Sequence, residues 1–169
     1  GGNGFEVTGA NGDNYRLTDN QVHLNGGVFS SNFFGINFSA SISNNNHLDN
    51  NNISGVSTIT GGTPFTINCA IHLQPFGSEV SLCENTVDKA KYGLHFPGQS
   101  DYPVISENDI HDHSSGMRIE NGVELGYHDG SGNRWLGSYV DWAAQKVGAL
   151  APSPLLPITV RFWVPESNT

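Results

Sequence analysis

The sequence predicts an all-β solenoid, a parallel β-helix of about five rungs with a capping segment at its C-terminal end. Three observations predict it. First, the 169-residue chain is low in both apolar (36%) and charged (14%) residues and is rich instead in Gly (21) and Asn (19). That is the composition of a folded chain with many turns. Second, one motif recurs: apolar, two residues, Asn, one residue, apolar, with the Asn anchors 31, 34, 23 and 25 residues apart. Third, a small residue followed by an apolar one trails each full copy, and in the last two full copies it keeps an interval of nine (Asn85 to Leu94, Asn108 to Met117).

Taken in order, the first unit is Leu17-Thr18-Asp19-Asn20-Gln21-Val22, followed by Gly35-Ile36. The second is Leu48-Asp49-Asn50-Asn51-Asn52-Ile53, followed by Ala70-Ile71. Both are lengthened by turn-rich insertions, Asn25-Gly26-Gly27 and Thr60-Gly61-Gly62-Thr63-Pro64. The third is Leu82-Cys83-Glu84-Asn85-Thr86-Val87 with Gly93-Leu94, and the fourth is Ile105-Ser106-Glu107-Asn108-Asp109-Ile110 with Gly116-Met117. A degenerate fifth is Gly132-Asn133-Arg134-Trp135. A 23-residue unit broken by Asn and Gly opposes helices, and the pattern of a leucine-rich repeat is absent. Hairpin turns in a β-sandwich would not repeat at a fixed distance with paired landmarks. Coiling the chain so that each unit is one turn pairs its strands in parallel, roughly 4.8 Å per rung. Asn20, Asn51, Asn85, Asn108 and Asn133 then stack as a ladder, their amides bonding from rung to rung, at a turn where Asn tolerates left-handed backbone angles.

The units resemble those of right-handed parallel β-helix proteins of the pectate-lyase-like kind, as in Asn108-Asp109-Ile110 with Gly116-Met117, over roughly residues 14–136. The run Gly132-Asn133-Arg134-Trp135-Leu136-Gly137-Ser138-Tyr139, with Phe162-Trp163-Val164 behind it, is similar to the end of β-helix regions in large secreted Bacteroidetes proteins. The resemblance implies a right-handed coil. The expected division is therefore rungs over 1–136 and a cap over 137–169. In the cap, Tyr139 to Val147 reads as a short helix ended by Gly148. Pro152, Pro154 and Pro157 form a stiff connector, and Ile158 to Val164 is a strand candidate. A segment of this kind covers an exposed strand edge.

Composition also bounds function. The net charge of −9 and seven scattered bases disfavour nucleic acid, and no run approaches ~20 apolar residues, so membrane insertion is not expected. A helical bundle would need Ala, Leu, Glu and Lys. An acidic, Asn-rich, Lys-poor surface leans toward an extracellular or cell-surface setting. The chain begins Gly1-Gly2-Asn3 without an initiator Met. It reads as a piece of a larger polypeptide, with the rest of the parent upstream as one partner.

Strand alternation turns the register into columns. With Ile36, Ile71, Leu94 and Met117 inward, Asn37, His72, His95 and Arg118 face outward in one row, a candidate ligand-facing column. The blander reading, a solvated face, is the favoured one, because no carboxylate pair is fixed beside it. Stacked like charges would hold the His side chains neutral. A second column, Asp19, Asn50, Glu84 and Glu107, offers oxygen groups of the kind that bind calcium, with Glu84 and Glu107 as candidate metal residues. The pair His111 and His113, at i and i+2, is the candidate for zinc. In both cases the polar turn is the stronger reading, so no cofactor is expected and calcium is the candidate if there is one. Cys69 is expected inward and Cys83 outward, which would strain a bridge. Phe29, Phe33, Phe34, Tyr92, Phe96 and Tyr102 are candidate sugar platforms, and Phe33 and Phe34 with Phe38 equally fit as filling of the wider early rungs.

The expectation is thus a non-catalytic structural or binding module for adhesion or contact with a polysaccharide or cell-surface glycan. The alternative is the C-terminal part of a polysaccharide lyase or glycoside hydrolase. Enzymes of the resembled fold use clustered Asp, or calcium with a basic residue, over several rungs, and no repeated Asp pair stands here.

Overall fold

A computed structural model of the chain describes residues 2–8, 14–24, 33–39, 45–56, 65–74, 80–98, 103–120 and 132–147. These residues form fifteen strands and no helix. Four complete rungs of three strands each are present: β2 (Arg16–Thr18), β3 (Gln21–His23) and β4 (Phe33–Ser39); β5 (Asn46–Asp49), β6 (Asn52–Ser54) and β7 (Ile67–Leu73); β8 (Val80–Cys83), β9 (Thr86–Asp88) and β10 (Ala90–Phe96); β11 (Val104–Ser106), β12 (Asp109–His111) and β13 (Ser115–Ile119). β1 (Gly2–Thr8) lies below them, and β14 (Arg134–Leu136) and β15 (Trp142–Lys146) above. All pairings are parallel. They form a six-stranded sheet (β1-β4-β7-β10-β13-β15), a four-stranded one (β11-β8-β5-β2) and a five-stranded one (β14-β12-β9-β6-β3). The chain is a parallel β-solenoid, as its repeat spacing predicts. No helix among the described residues is long and apolar enough to cross a membrane.

The core is one inward row per strand. Leu48, Leu82 and Ile105 stack on one wall, Ile53, Val87 and Ile110 on the second, and Ile36, Ile71, Leu94 and Met117 on the third, all 0–1% exposed. At the turn between the four- and five-stranded sheets the Asn ladder runs through the interior. The Oδ1 of Asn51 accepts from Asn20 Nδ2 at 2.9 Å, that of Asn85 from Asn51 Nδ2 at 2.9 Å, that of Asn108 from Asn85 Nδ2 at 2.9 Å, and that of Asn133 from Asn108 Nδ2 at 2.8 Å. The backbone N–H of each donor Asn bonds the same oxygen, at 3.0–3.2 Å. The second amide hydrogen goes to a main-chain carbonyl one rung back: Leu17 from Asn51, Leu48 from Asn85, Leu82 from Asn108 and Ile105 from Asn133. Buried amides cost free energy unless bonded, and here both ends are used.

The left-handed turn position is not the ladder Asn but the residue before it. Asp19, Asn50, Glu84 and Glu107 have φ of 53–60°, and Gly132 continues the column at 74°. The acid column is thus a backbone corner, with Glu84 and Glu107 exposed beside it.

One further geometric rule organises the six-stranded sheet. In β4, β7, β10 and β13 the small residue and its apolar follower are both buried, so strict alternation breaks there. The small residue is required by contact. A Cβ on Gly35 would sit 2.6 Å from the Ala70 carbonyl oxygen, one on Gly93 2.4 Å from that of Gly116, and one on Gly116 2.6 Å from that of Ala143.

That column also corrects the C-terminal expectation. Residues 139–147 do not hold a helix; Trp142–Lys146 is β15, paired in parallel with β13 through Met117↔Ala144 and Arg118↔Gln145. The unpaired edge of β13 outweighs the helix propensity of Ala-Ala-Gln-Lys, so the solenoid continues past residue 136. The Pro connector and the strand expected over 158–164 lie outside the described residues.

Candidate functional site

The outward column falls as the register predicts. Glu6↔Asn37, Asn37↔His72, His72↔His95 and His95↔Arg118 are paired across β1, β4, β7, β10 and β13. Its members are not independent solvated side chains. His72 Nδ1 lies 3.1 Å from His95 Nδ1, and His95 Nε2 lies 3.1 Å from Glu120 Oε1. Arg118 Nε donates to the same Glu120 oxygen at 2.8 Å, and Arg118 NH1 donates to Tyr92 Oη at 3.3 Å. With a proton on His95 Nε2 for Glu120, His95 Nδ1 is an acceptor and His72 Nδ1–H donates to it. Asn37 Nδ2 reaches Glu6 at 3.4 Å.

Aromatic rings frame this line. Phe34 lies 4.8 Å from His72, and Tyr92 lies 5.3 Å from His95, centroid to centroid. The Arg118 guanidinium sits 5.0 Å over the Tyr92 ring and Lys91 Nζ 5.1 Å from it, within cation–π range. The site is half-buried: the His95 side chain is 13% exposed, Arg118 24% and Glu120 29%. Burial and then the neighbouring His95 lower the His72 pKa to about 4. Burial also lowers that of His95, against the opposing pull of Glu120. Burial alone would raise Glu120, but hydrogen bonds from Arg118 and His95 outweigh it and hold the carboxyl below its ordinary value. Around neutral pH the column is two neutral imidazoles beside a closed Arg–Glu pair.

Two further residues complete this site: Glu120, two after Arg118 and so on the same face, and Cys69, which breaks the alternation. Glu120 follows β13 and is carried to the column by the main-chain bond of its N–H to the Phe96 carbonyl. Cys69 is fully buried, as expected, but not in the interior row. Its sulfur shares a neighbourhood with the His72 and His95 rings, one ligand atom from each residue lying within 4.8 Å of the others. The break at Ala70-Ile71 puts residues 69 and 72 on one side of the sheet. Burial raises the Cys69 thiol well above its ordinary pKa. Cys69 and Cys83 are both free thiols. Cys83 faces outward as expected, 2.9 Å from Ser106 Oγ.

The other metal candidates do not assemble. His111 is half-buried on the outward side of β12, whereas His113 is fully buried. Asp112 between them has φ 50°, which ends the alternation that would have aligned them. His113 Nδ1 lies 2.9 Å from the Ala90 carbonyl oxygen and 3.1 Å from the Ala90 nitrogen, and its Nε2 lies 3.2 Å from the Val87 carbonyl oxygen, so the ring is bonded to the main chain. Among the described residues, the three-donor cluster of Cys, His and acidic groups is Cys69, His72 and His95, with neither Glu84 and Glu107 nor His111 and His113 part of it. Of the aromatic platforms, Phe96 is a core residue at 0% exposure, Phe33, Phe34 and Tyr92 are half-buried, and Phe29 and Tyr102 lie outside the described residues.

The chain matches no family model, no curated protein and no solved structure. What the site does therefore has to be argued from its own chemistry.

Proposed function

We propose that this chain is a non-catalytic binding module of a larger secreted or cell-surface protein, of the Bacteroidetes kind that its segment 132–139 resembles, and that the outer face of the six-stranded sheet contacts a glycan. The observation that carries the reading is the Tyr92 ring, half-exposed and held between Arg118 and His95, with polar side chains on consecutive rungs to either side. An aromatic ring beside fixed donors and acceptors matches the two faces of a sugar, apolar C–H and hydroxyl. The rungs repeat at roughly 4.8 Å, close to the length of one hexose unit, so an extended chain meets similar groups in succession. Pre-pairing of Arg118 with Glu120 lowers the ordering cost of binding.

A glycan array followed by calorimetry tests this, with and without calcium. The expected result is binding of an extended polysaccharide that weakens at least tenfold in Tyr92→Ala and in Arg118→Met. Binding unchanged in both variants, or no glycan bound at all, overturns it. Shortening of a bound polymer during the assay would move the face to the lyase or hydrolase reading.

A further inference from the structure

We propose that Cys69, His72 and His95 bind a zinc ion through Sγ and two imidazole nitrogens, with the fourth coordination position left to water or an exogenous ligand. Three independent features support it. The first is donor geometry. Two nitrogens on one tetrahedral zinc at about 2.05 Å lie roughly 3.3 Å apart, and a sulfur and a nitrogen roughly 3.6 Å apart. His72 Nδ1 and His95 Nδ1 are 3.1 Å apart without any ion, and one ligand atom of each of the three residues lies within 4.8 Å of the others. Small side-chain rotations close the remainder. In the metal-free state a single proton bridges the two rings; when the ion takes its place that proton moves to His72 Nε2, so both imidazoles stay neutral.

The second feature is orientation. His95 presents Nδ1 to the cluster because its Nε2 is engaged by Glu120, which is fixed in turn by Arg118. A ligating imidazole whose other nitrogen donates to a carboxylate is the usual support of a metal centre. His72 packs against the tilted Phe34 ring, and its rung position is fixed by the parallel pairing with His95. The third is the break in strand alternation. Cys69 and His72 are three apart in one strand and would face opposite ways in a regular pleat; the paired inward residues Ala70 and Ile71 bring them to one side. A thiolate with two imidazoles is a soft-to-borderline set, suited to zinc and poorly suited to calcium or magnesium. Binding releases the Cys69 proton.

The test uses the full chain, reduced and stripped of metal with a chelator. Titration with zinc against a chromophoric competitor is expected to give one ion per chain. Titration with Co(II) is expected to give a thiolate-to-cobalt charge-transfer band in the near ultraviolet and tetrahedral visible bands. Cys69→Ser removes the charge-transfer band, His95→Ala weakens zinc at least tenfold, and Glu120→Gln weakens it by about 10–100-fold while keeping the cobalt spectrum. Cys83→Ser and His111→Ala leave affinity and spectrum unchanged. Absence of one-to-one zinc binding, an octahedral cobalt spectrum, or a charge-transfer band that follows Cys83 instead of Cys69 overturns the proposal. The wild-type cobalt spectrum decides the matter even where a variant fails to fold. No glycan is present, so the outcome is separate from that of the glycan reading.

Discussion

At the turn between the four- and five-stranded sheets, each of the five upper corners carries Asn, from Asn20 to Asn133. On the outer face of the six-stranded sheet the equivalent register carries Glu6, Asn37, His72, His95, Arg118 and Gln145. Both are columns of polar side chains in register along the solenoid axis, yet they solve different problems. The ladder is interior, and Asn85 and Asn108 are 0% exposed. A primary amide is donor and acceptor at once, so copies of one residue satisfy each other indefinitely. The outer column is half-buried and its neighbours are chemically unlike: imidazole on imidazole, imidazole on carboxylate, guanidinium on carboxylate. Nothing in the repeat requires that sequence of groups. Uniform stacking marks a structural need of every rung, and the heterogeneous stretch is confined to the rungs where the donors converge.

The largest expected effect is on the ladder. Asn85→Ala leaves the Asn51 N–H, one Asn51 amide hydrogen and the Leu48 carbonyl without their partners. At about 1–3 kcal/mol for each buried group left unmade, the variant should lose at least ~3 kcal/mol by urea denaturation at neutral pH. Asn108→Ala should lose as much. Unchanged denaturation midpoints in both would erase the distinction between the two stacks.

The second effect is read in the pH dependence of stability, at an imidazole of the interior. His113 lies in the interior, where burial lowers its pKa to about 4. The unfolded chain takes up a proton near pH 6.5 and the folded chain does not until about pH 4. The His113 contribution is therefore full above about pH 6.5 and falls as pH drops toward 4, by about 2 kcal/mol between pH 7 and 5, and His72 adds a loss of the same sign. His113→Gln should reduce that slope and leave the part due to His72 and His95, whatever it does to stability at neutral pH. An unaltered slope in the variant would place the titrating group elsewhere.

The same contrast explains what could be read from the chain beforehand. The ladder was legible because one residue type recurs at every corner, and the spacings 31, 34 and 23 are the separations of the paired strands Arg16↔His47, Asn46↔Val80 and Ser81↔Val104. The outer column was legible as a register, through Asn37, His72, His95 and Arg118, but not as a site. Cys69 and Glu120 complete it, and a two-residue alternation rule sends Cys69 to the wrong side. The signal was present in the landmark itself: a small residue before the apolar one is needed only if both turn inward, and that resets the parity of everything before it. β15 is hidden in the sequence for a related reason. Ala143-Ala144 repeats the small-then-apolar landmark eleven residues after Asn133, but its residues are also good helix formers, and only the waiting edge of β13 decides between the two.

A third variant asks whether the outer column carries stability. Arg118→Ala removes a partly exposed ion pair with Glu120 and the cover over Tyr92. Pairs of this kind contribute at most about 1 kcal/mol, so its midpoint should move far less than that of Asn85→Ala. A loss of equal size would make the face another structural ladder and would remove the reason to look there for a ligand.

The smallest effect tests the ladder against itself. Asn20 is half-buried at the lower end of the described stack, and its backbone N–H and Nδ2 both donate to the one Asn51 oxygen. In Asn20→Ala the backbone donor remains, so Asn51 Oδ1 keeps a partner and the loss is that of one net hydrogen bond, about 1 kcal/mol or less. The same substitution at Asn85 deprives three groups on the neighbouring rung, two of Asn51 and the Leu48 carbonyl. If stability came from the amide as a residue preference for the corner, the two variants would cost alike, because both corners share the same left-handed residue before the Asn, Asp19 and Glu84. If it comes from satisfying buried partners, the cost rises from the end of the stack toward its middle, and the ratio of the two midpoint shifts measures how much of the ladder is cooperation between rungs.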